Sequence, residues 1–367
     1  MTLPTLHLTG TPYEQGLAHG RSLQSQIDHN LQVYFTRFKD ESQLEREEVL
    51  HRAHRYRTAI AQNSPAYYEG MRGIADGSGF DLDEITALNV RYEIIYYQST
   101  VLSMTGKDGC TAFAVAPPIS RNGHLLLGQN WDWIPWVKGA VLHTIEADGL
   151  ETISFTEAGI FGGKIGLNTA GLGLAINGIN STGDDWERLT APFHARCYGI
   201  LRSWDLATAV AVITDTPRAC SANFLIAQAP DQAVDIEAAP DVVNIIPWQE
   251  SCLLVHANHF VDPAGTGIEE PPYERRIFSC YRQDNLQAMI EANQPVTLAD
   301  TQGFLQDHTN QPSSICRHEN PAAPPGEQYR TVTSIVMDLN ERTFHVTDGP
   351  PCENEFSIVH LEGAMAA

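Results

Sequence analysis

The chain has no C-x-x-C pair, no apolar run approaching the eighteen or so residues of a membrane span, and no excess of positive charge. Its seven cysteines (110, 197, 220, 252, 280, 316 and 352) are odd in number and scattered, so neither a disulfide framework nor a cysteine zinc site is suggested. Twenty-three Lys and Arg against 45 Asp and Glu leave a formal charge of -22, which disfavours nucleic acid and anionic membrane surfaces as partners, since both need a concentrated basic patch. The first thirty residues lack the apolar h-region of a secretory signal, and a cytoplasmic location is expected. Repeats, heptads and low-complexity tracts are missing. So are the G-x-G-x-x-G and Walker forms: the glycines between Gly159 and Gly173 suit strand reversals better than a phosphate cradle.

What remains is an ordinary globular composition. At 367 residues, 43% hydrophobic and 19% charged, the chain can close one large domain or two average ones. Thr11-Pro12-Tyr13-Glu14 reads as a helix start, and apolar residues from Leu17 to Phe38 share one helical face, interrupted by Gly20. A charged, exposed helix is expected around Glu41 to Gln62, ended by Asn63-Ser64-Pro65, followed by a helical stretch from Tyr67 to Ala75. Asp81-Leu82-Asp83-Glu84 has the form of a capping box opening a helix through Leu88, Tyr92 and Ile95.

From Thr111 the pattern changes to strands. Those near 111–116, 125–131, 141–146, 152–157 and 171–177 predict one antiparallel meander. A helical block at 193–214 follows, then strands near 223–227, 233–237, 242–246 and 252–257. Helices at 273–293 and 297–307, a loop at 321–326 and a hairpin at 331–338 and 343–346 complete the chain. Two sets of antiparallel strands with helices in separate blocks predict an α+β fold, a four-layer αββα sandwich of two antiparallel sheets.

One stretch stands out chemically. Cys110 follows Gly109 at the switch from helical to strand sequence, and Gly109, lacking a Cβ, allows an unusual backbone geometry and close approach to its carbonyl. Gln129-Asn130-Trp131-Asp132 ends a strand that would pair with the one following Cys110, which could bring a carboxylate to its main chain. Were the Gly109-Cys110 bond cut, the new α-amino group, with an ordinary pKa of about 7.7 to 8.0, could accept the thiol proton and return it to a leaving amine. Nucleophile and base would then be one residue. His256 and His259, three apart, are poor evidence for metal because no third ligand stands at diagnostic spacing. Trp131, Trp133 and Trp136 suit a substrate pocket or a core equally well.

Asp108-Gly109-Cys110-Thr111, Gln129 to Asp132, Thr156-Glu157-Ala158-Gly159-Ile160, His256-Ala257-Asn258-His259 and Ser314-Ile315-Cys316-Arg317, in this order along almost the whole chain, resemble the isopenicillin N acyltransferase family, also called acyl-CoA:6-aminopenicillanic acid acyltransferases. The resemblance implies an N-terminal-nucleophile hydrolase made as an inactive precursor. Cys110 would attack the carbonyl of Gly109 and release a mostly helical fragment 1–109 and a sheet-bearing fragment 110–367, which stay associated as one intertwined domain. It further implies that Asp132 orients the Cys110 amino group, Asn258 forms the oxyanion hole and Arg317 favours the thiolate, with Thr111 and Asn130 supporting the site.

The expected reaction is hydrolysis or transfer of the acyl group of a small linear amide through a Cys110 thioester, without cofactor or metal. The expected partners are a small-molecule amide or acyl substrate and the associated fragments; a homo-oligomer is compatible with the sequence. Three alternatives stay open: an acyl-CoA-dependent N-acyltransferase, an unprocessed ligand-binding homologue, and a cysteine hydrolase using His256 or His259 as base.

Overall fold

The computed structural model describes residues 3–102, 109–248, 250–270, 273–324 and 328–361. Its first hundred residues are mostly helical: after strand β1 (Thr5–Leu8) come α1 (Pro12–Ser22), α2 (Gln24–Asp40), α3 (Arg46–Asn63), α4 (Pro65–Ser78), α5 (Leu82–Asn89) and α6 (Arg91–Val101). Local chemistry sets several boundaries. Thr11 and Asp81 cap α1 and α5 through reciprocal capping boxes with Glu14 and Glu84, and Pro65 opens α4.

Two helical expectations need correction. The stretch from Pro12 to Phe38 is two helices broken at Leu23, and the region expected as one helix from Asp81 to Ile95 is likewise two, with Val90 between them. The glycines of α1 do not merely weaken a helix. A Cβ on Gly16 would lie 2.1 Å from the carbonyl oxygen of Gly70, and one on Gly73 would lie 2.1 Å from that of Tyr13, so α1 and α4 touch backbone to backbone. Nor is α3 an exposed helix: Val49, Ala53, Tyr56 and Ile60 form a buried face beneath its charges.

The remaining elements are β2 (Thr111–Val115), β3 (Leu126–Trp133), β4 (Gly139–Ile145), β5 (Glu151–Glu157), β6 (Ile165–Asn168), β7 (Leu172–Gly178), α7 (Phe193–Leu201), α8 (Leu206–Thr214), β8 (Ala222–Gln228), β9 (Gln232–Ala238), β10 (Val243–Pro247), β11 (Leu253–His256), α9 (Pro263–Thr266), α10 (Tyr273–Ala292), α11 (Leu298–Phe304), β12 (Arg330–Asp338), β13 (Thr343–Val346) and β14 (Ser357–His360). Among the described residues they form an eight-stranded sheet, β1-β4-β5-β6-β7-β8-β9-β10, and a six-stranded sheet, β11-β2-β3-β12-β13-β14. The first five expected strands therefore do not make one meander: β2 and β3 belong to the small sheet, β4, β5 and β7 to the large one. Short β6 and β14 are additional to the expected strands, and β1 pairs with β4 in parallel, the exception to antiparallel order among the described strand pairs.

The sheets pack face to face through β2 and β3 on one side and β7 and β8 on the other. Leu127, Trp131, Phe155, Leu174, Ile335 and Met337 contribute to the buried core. Gln129 bridges the layers, donating to the carbonyl of Ile176 at 2.7 Å and accepting from its N–H at 2.8 Å. Helices α7 and α8 cover the large sheet and α10 and α11 the small one, completing the αββα sandwich. The loop expected at 321–326 falls partly outside the described residues, which do include the turn at Pro321.

The α1–α4 contact leaves no room for a methyl group. Gly73→Ala is expected to destabilise the protein by about 1–3 kcal/mol through overpacking, read as a lower urea midpoint at unchanged slope.

Candidate active site

Cys110 stands one residue before β2, is buried, and donates its thiol to the backbone carbonyl of Asp132 at 3.7 Å. This proximity follows from strand register, since Thr111 pairs with Asn130 and Ala112 with Gln129. On the other edge of β2, His256 pairs with Ala112. Asn258 follows two residues beyond the last paired position of β11.

Gly109 explains why this junction needs glycine. A Cβ there would lie 2.6 Å from Asp132 Oδ2 and 2.7 Å from Arg317 Nη1, so a carboxylate and a guanidinium close directly on the residue before Cys110. Thr331 links both: its hydroxyl donates to Asp132 Oδ1 at 2.7 Å and accepts from the Arg317 N–H at 2.9 Å. The second carboxylate oxygen, Oδ2, is buried with no hydrogen-bond partner among the described residues. Burial pushes the Asp132 carboxyl up to about 7, against the opposing pull of Arg317 and Thr331.

Of the residues expected at the site, Asp132 and Arg317 close on Gly109, Thr111 and Asn258 share Arg282 as a partner, and Asn130 bonds elsewhere. Asn258 donates its amide to the Gly178 carbonyl at 2.9 Å and accepts from Arg282 Nη2 at 2.6 Å. Arg282 also donates through Nε to the hydroxyl of Thr111 at 3.3 Å, so one buried arginine on α10 holds two site residues. Asn130 acts at a distance: its amide donates to the carbonyls of Leu305 and Ile315 at 2.8 and 2.9 Å, anchoring the segment that leads to Arg317. Asp108 lies outside the described residues.

Behind Cys110 is a charge network that sequence reasoning missed. Lys164, fully buried, donates to Glu157 Oε1 at 2.6 Å and sits 3.1 Å above the ring centre of Trp131. Glu157 also accepts from Arg91 and from the hydroxyl of Tyr34, which in turn accepts from Trp133 Nε1 at 2.7 Å. Burial opposes charge on Glu157, but Arg91 and Lys164 outweigh it and bring the carboxyl down to about 2. Burial pulls the Lys164 ammonium down to about 7, although Glu157 counteracts it. One signal was available: Lys164 is the only charged residue between Glu157 and Asp184. Nothing local marked Arg282. Trp131 and Trp133 belong to the core behind the site, while Trp136 is exposed.

The two histidines considered as bases are engaged elsewhere. His256 bonds Glu237 at 2.9 Å and the Ala257 carbonyl at 2.8 Å. Burial opposes its charge, yet Asp235 and Glu237 hold it up at about 9. His259 bonds the Ser279 hydroxyl at 2.8 Å and is pushed down to about 3, chiefly by burial and then by His256.

The model of the acyl-coenzyme A:6-aminopenicillanic acid acyl-transferase family matches residues 120–351. The chain belongs to that family. Over 351 residues it is 28% identical to the 40 kDa form of acyl-coenzyme A:6-aminopenicillanic-acid-acyltransferase from Emericella nidulans, covering 94% of this chain and 93% of that protein. Similar solved structures include the Caenorhabditis elegans orthologue of N-acylethanolamine-hydrolyzing acid amidase, with TM-score 0.44, 14% identity, and coverage of 63% of this chain and 93% of that one. Penicillin V acylase from Agrobacterium tumefaciens gives TM-score 0.45 and 12% identity, over 65% and 83% of the respective chains. Membership makes the chain a relative of acyl-transferring enzymes. No described helix is long and apolar enough to cross a membrane.

Removing the central anion would leave two buried cations uncompensated. Glu157→Gln is expected to cost about 3–5 kcal/mol, measured by chemical denaturation of the full chain.

Proposed function

We propose that this protein is a self-processing cysteine N-terminal-nucleophile enzyme that hydrolyses or transfers the acyl group of a small linear amide. The observation that carries the reading is the closure of Asp132 and Arg317 on Gly109, immediately before a buried cysteine at the head of β2. In the processing step, Cys110 Sγ attacks the Gly109 carbonyl carbon and the C–N bond breaks. The nitrogen takes up the proton and becomes the Cys110 α-amine, leaving a thioester on the sulfur. Water then hydrolyses that thioester and frees the Gly109 carboxylate.

The partnerless Oδ2 of Asp132 is suited to receive the new ammonium group. Turnover repeats the chemistry on an external amide. Sγ attacks the acyl carbon, the α-amine relays the thiol proton to the leaving amine, and Asn258 donates to the oxyanion. Arg317 supplies positive charge that favours thiolate. His256 is a poor candidate base because it is held as a cation between two acceptors.

The intermediate resolves with water in an amidohydrolase and with an amine in an N-acyltransferase that uses an acyl-CoA donor; the name of the Emericella relative favours the second reading. The acidic balance of the chain favours the first, since coenzyme A is polyanionic. Turnover of N-acyl amino acids, peptides, lactams and acyl-CoA thioesters by the processed protein separates the two.

Intact mass and denaturing electrophoresis test the processing step. Wild-type protein is expected as two fragments meeting between Gly109 and Cys110, and Cys110→Ala as one 40.5 kDa species. A wild-type chain still whole after prolonged incubation overturns the proposal. Asn258→Ala, once processed, is expected to lose about 100- to 1,000-fold in acyl turnover.

Processing should also depend on pH. Asp132 must lose its proton to act as base or counter-ion, so cleavage is expected to accelerate as pH rises through about 7. Asp132→Asn should be slow at every pH and lack that inflection, as followed by the rate of precursor loss.

A further inference from the structure

Beside the proposed active site, His308, Cys316, His318 and Cys352 converge so that their four ligand atoms lie within 4.8 Å of one another. The Nε2 atoms of His308 and His318 are 3.1 Å apart. His318 Nε2 is 3.3 Å from Cys352 Sγ and 3.8 Å from Cys316 Sγ, and the two sulfurs are 3.4 Å apart. A tetrahedral zinc centre, with bonds of about 2.3 Å to sulfur and about 2.0–2.1 Å to nitrogen, has ligand–ligand edges of roughly 3.3–3.8 Å. The four measured edges fall in or beside that range. A disulfide would instead need the sulfurs at about 2.05 Å.

The surroundings have the support a metal centre requires. His318 turns its other nitrogen, Nδ1, toward Glu353 Oε1 at 3.4 Å, the carboxylate–histidine arrangement that fixes a ligand's tautomer and orientation. Cys352 is exposed and, with Glu353, lines a cleft of about 580 Å³ that offers an entry path. The ligands come from three places: His308 beyond α11, Cys316 and His318 ahead of β12, and Cys352 in the turn between β13 and β14. Their separation in sequence explains why spacing gave no hint of a zinc site.

We propose that His308, Cys316, His318 and Cys352 bind one zinc ion as a closed structural site. Two thiolates neutralise the dication, two neutral imidazoles complete the tetrahedron, and no coordination position remains for substrate. Arg317 lies between two of the ligands and reaches Gly109, so the ion would tie the arginine-bearing segment to the β13–β14 turn.

The test is metal content of the full-length protein, independent of its activity. After loading with zinc and extensive dialysis, elemental analysis is expected to give close to one zinc per chain for wild type and for Cys110→Ala. Cobalt in its place should give the intense visible bands of a tetrahedral thiolate site. The double variant Cys316→Ser/Cys352→Ser should lose both signals. If that variant fails to fold, His308→Ala and Glu353→Gln probe the exposed rim, the latter expected to weaken zinc affinity by about 10- to 100-fold. A wild-type protein that retains no zinc, variants with undiminished zinc, or an intact mass two hydrogens lighter from a Cys316–Cys352 disulfide would each overturn the site.

Discussion

The carboxylate of Glu157 is an anion with no access to water, and much of the molecule is arranged around keeping it charged. Its partners come from distant parts of the chain: Tyr34 from α2, Arg91 from α6 and Lys164 from the approach to β6. Because the isolated burial of any one of these charges would be prohibitive, the helical segment and the large sheet are constrained to meet in one geometry. Neighbouring contacts reinforce the joint. Asn30 donates to the carbonyls of Lys138 and Ala158, Asn89 to that of Gly159, and the Gly159 N–H donates to His19. The segment before Gly109 is therefore woven into the segment after Cys110 by buried polar contacts as well as by the parallel β1–β4 pair.

That weave bears on how a chain could be cut internally and keep its shape. Arg37 reaches Tyr329 at 2.6 Å and Tyr92 donates to the Ser221 carbonyl at 2.7 Å, so contacts between the two segments are spread across both sheets. None of them depends on the Gly109-Cys110 bond. On the proposed cleavage, the charge network and the sheet pairing are the contacts available to keep the two fragments associated.

What the sequence disclosed follows the range of the interactions. The cap at Thr11 and the capping box at Asp81 act over three residues and are legible, and so is the proximity of Cys110 to Asp132, because the strands carrying them are sequence neighbours that pair directly. The division of strands between two sheets was not legible, since β3 and β4 follow each other closely yet part to different layers. By local rules a glycine is a turn former or helix breaker, whereas Gly16 and Gly73 serve a contact that exists only once α1 and α4 are side by side. Lys164 and Arg282 act on partners in other elements, and their roles emerge only from the tertiary structure.

Arg317 sits where short-range and long-range constraints meet. It lies outside regular secondary structure, in a segment whose backbone has no ladder of hydrogen bonds to hold it. A guanidinium on a long side chain carries considerable rotamer entropy, so a stable position beside Gly109 requires that the backbone at least be pinned. Asn130 pins one side through Leu305 and Ile315, the Cys316 N–H donates to the Asp307 carbonyl at 2.8 Å, and Thr331 bonds both N–H and C=O of Arg317 at 2.9 Å through its hydroxyl and its own N–H. These bonds approach from the β3, β12 and α11 sides. The turn bearing Cys352 approaches from the remaining side, where cysteine and histidine supply the side chains facing one another. A metal centre there would complete the restraint of a segment that no helix or strand stabilises, which is why the four ligands and the arginine are best understood as parts of one support.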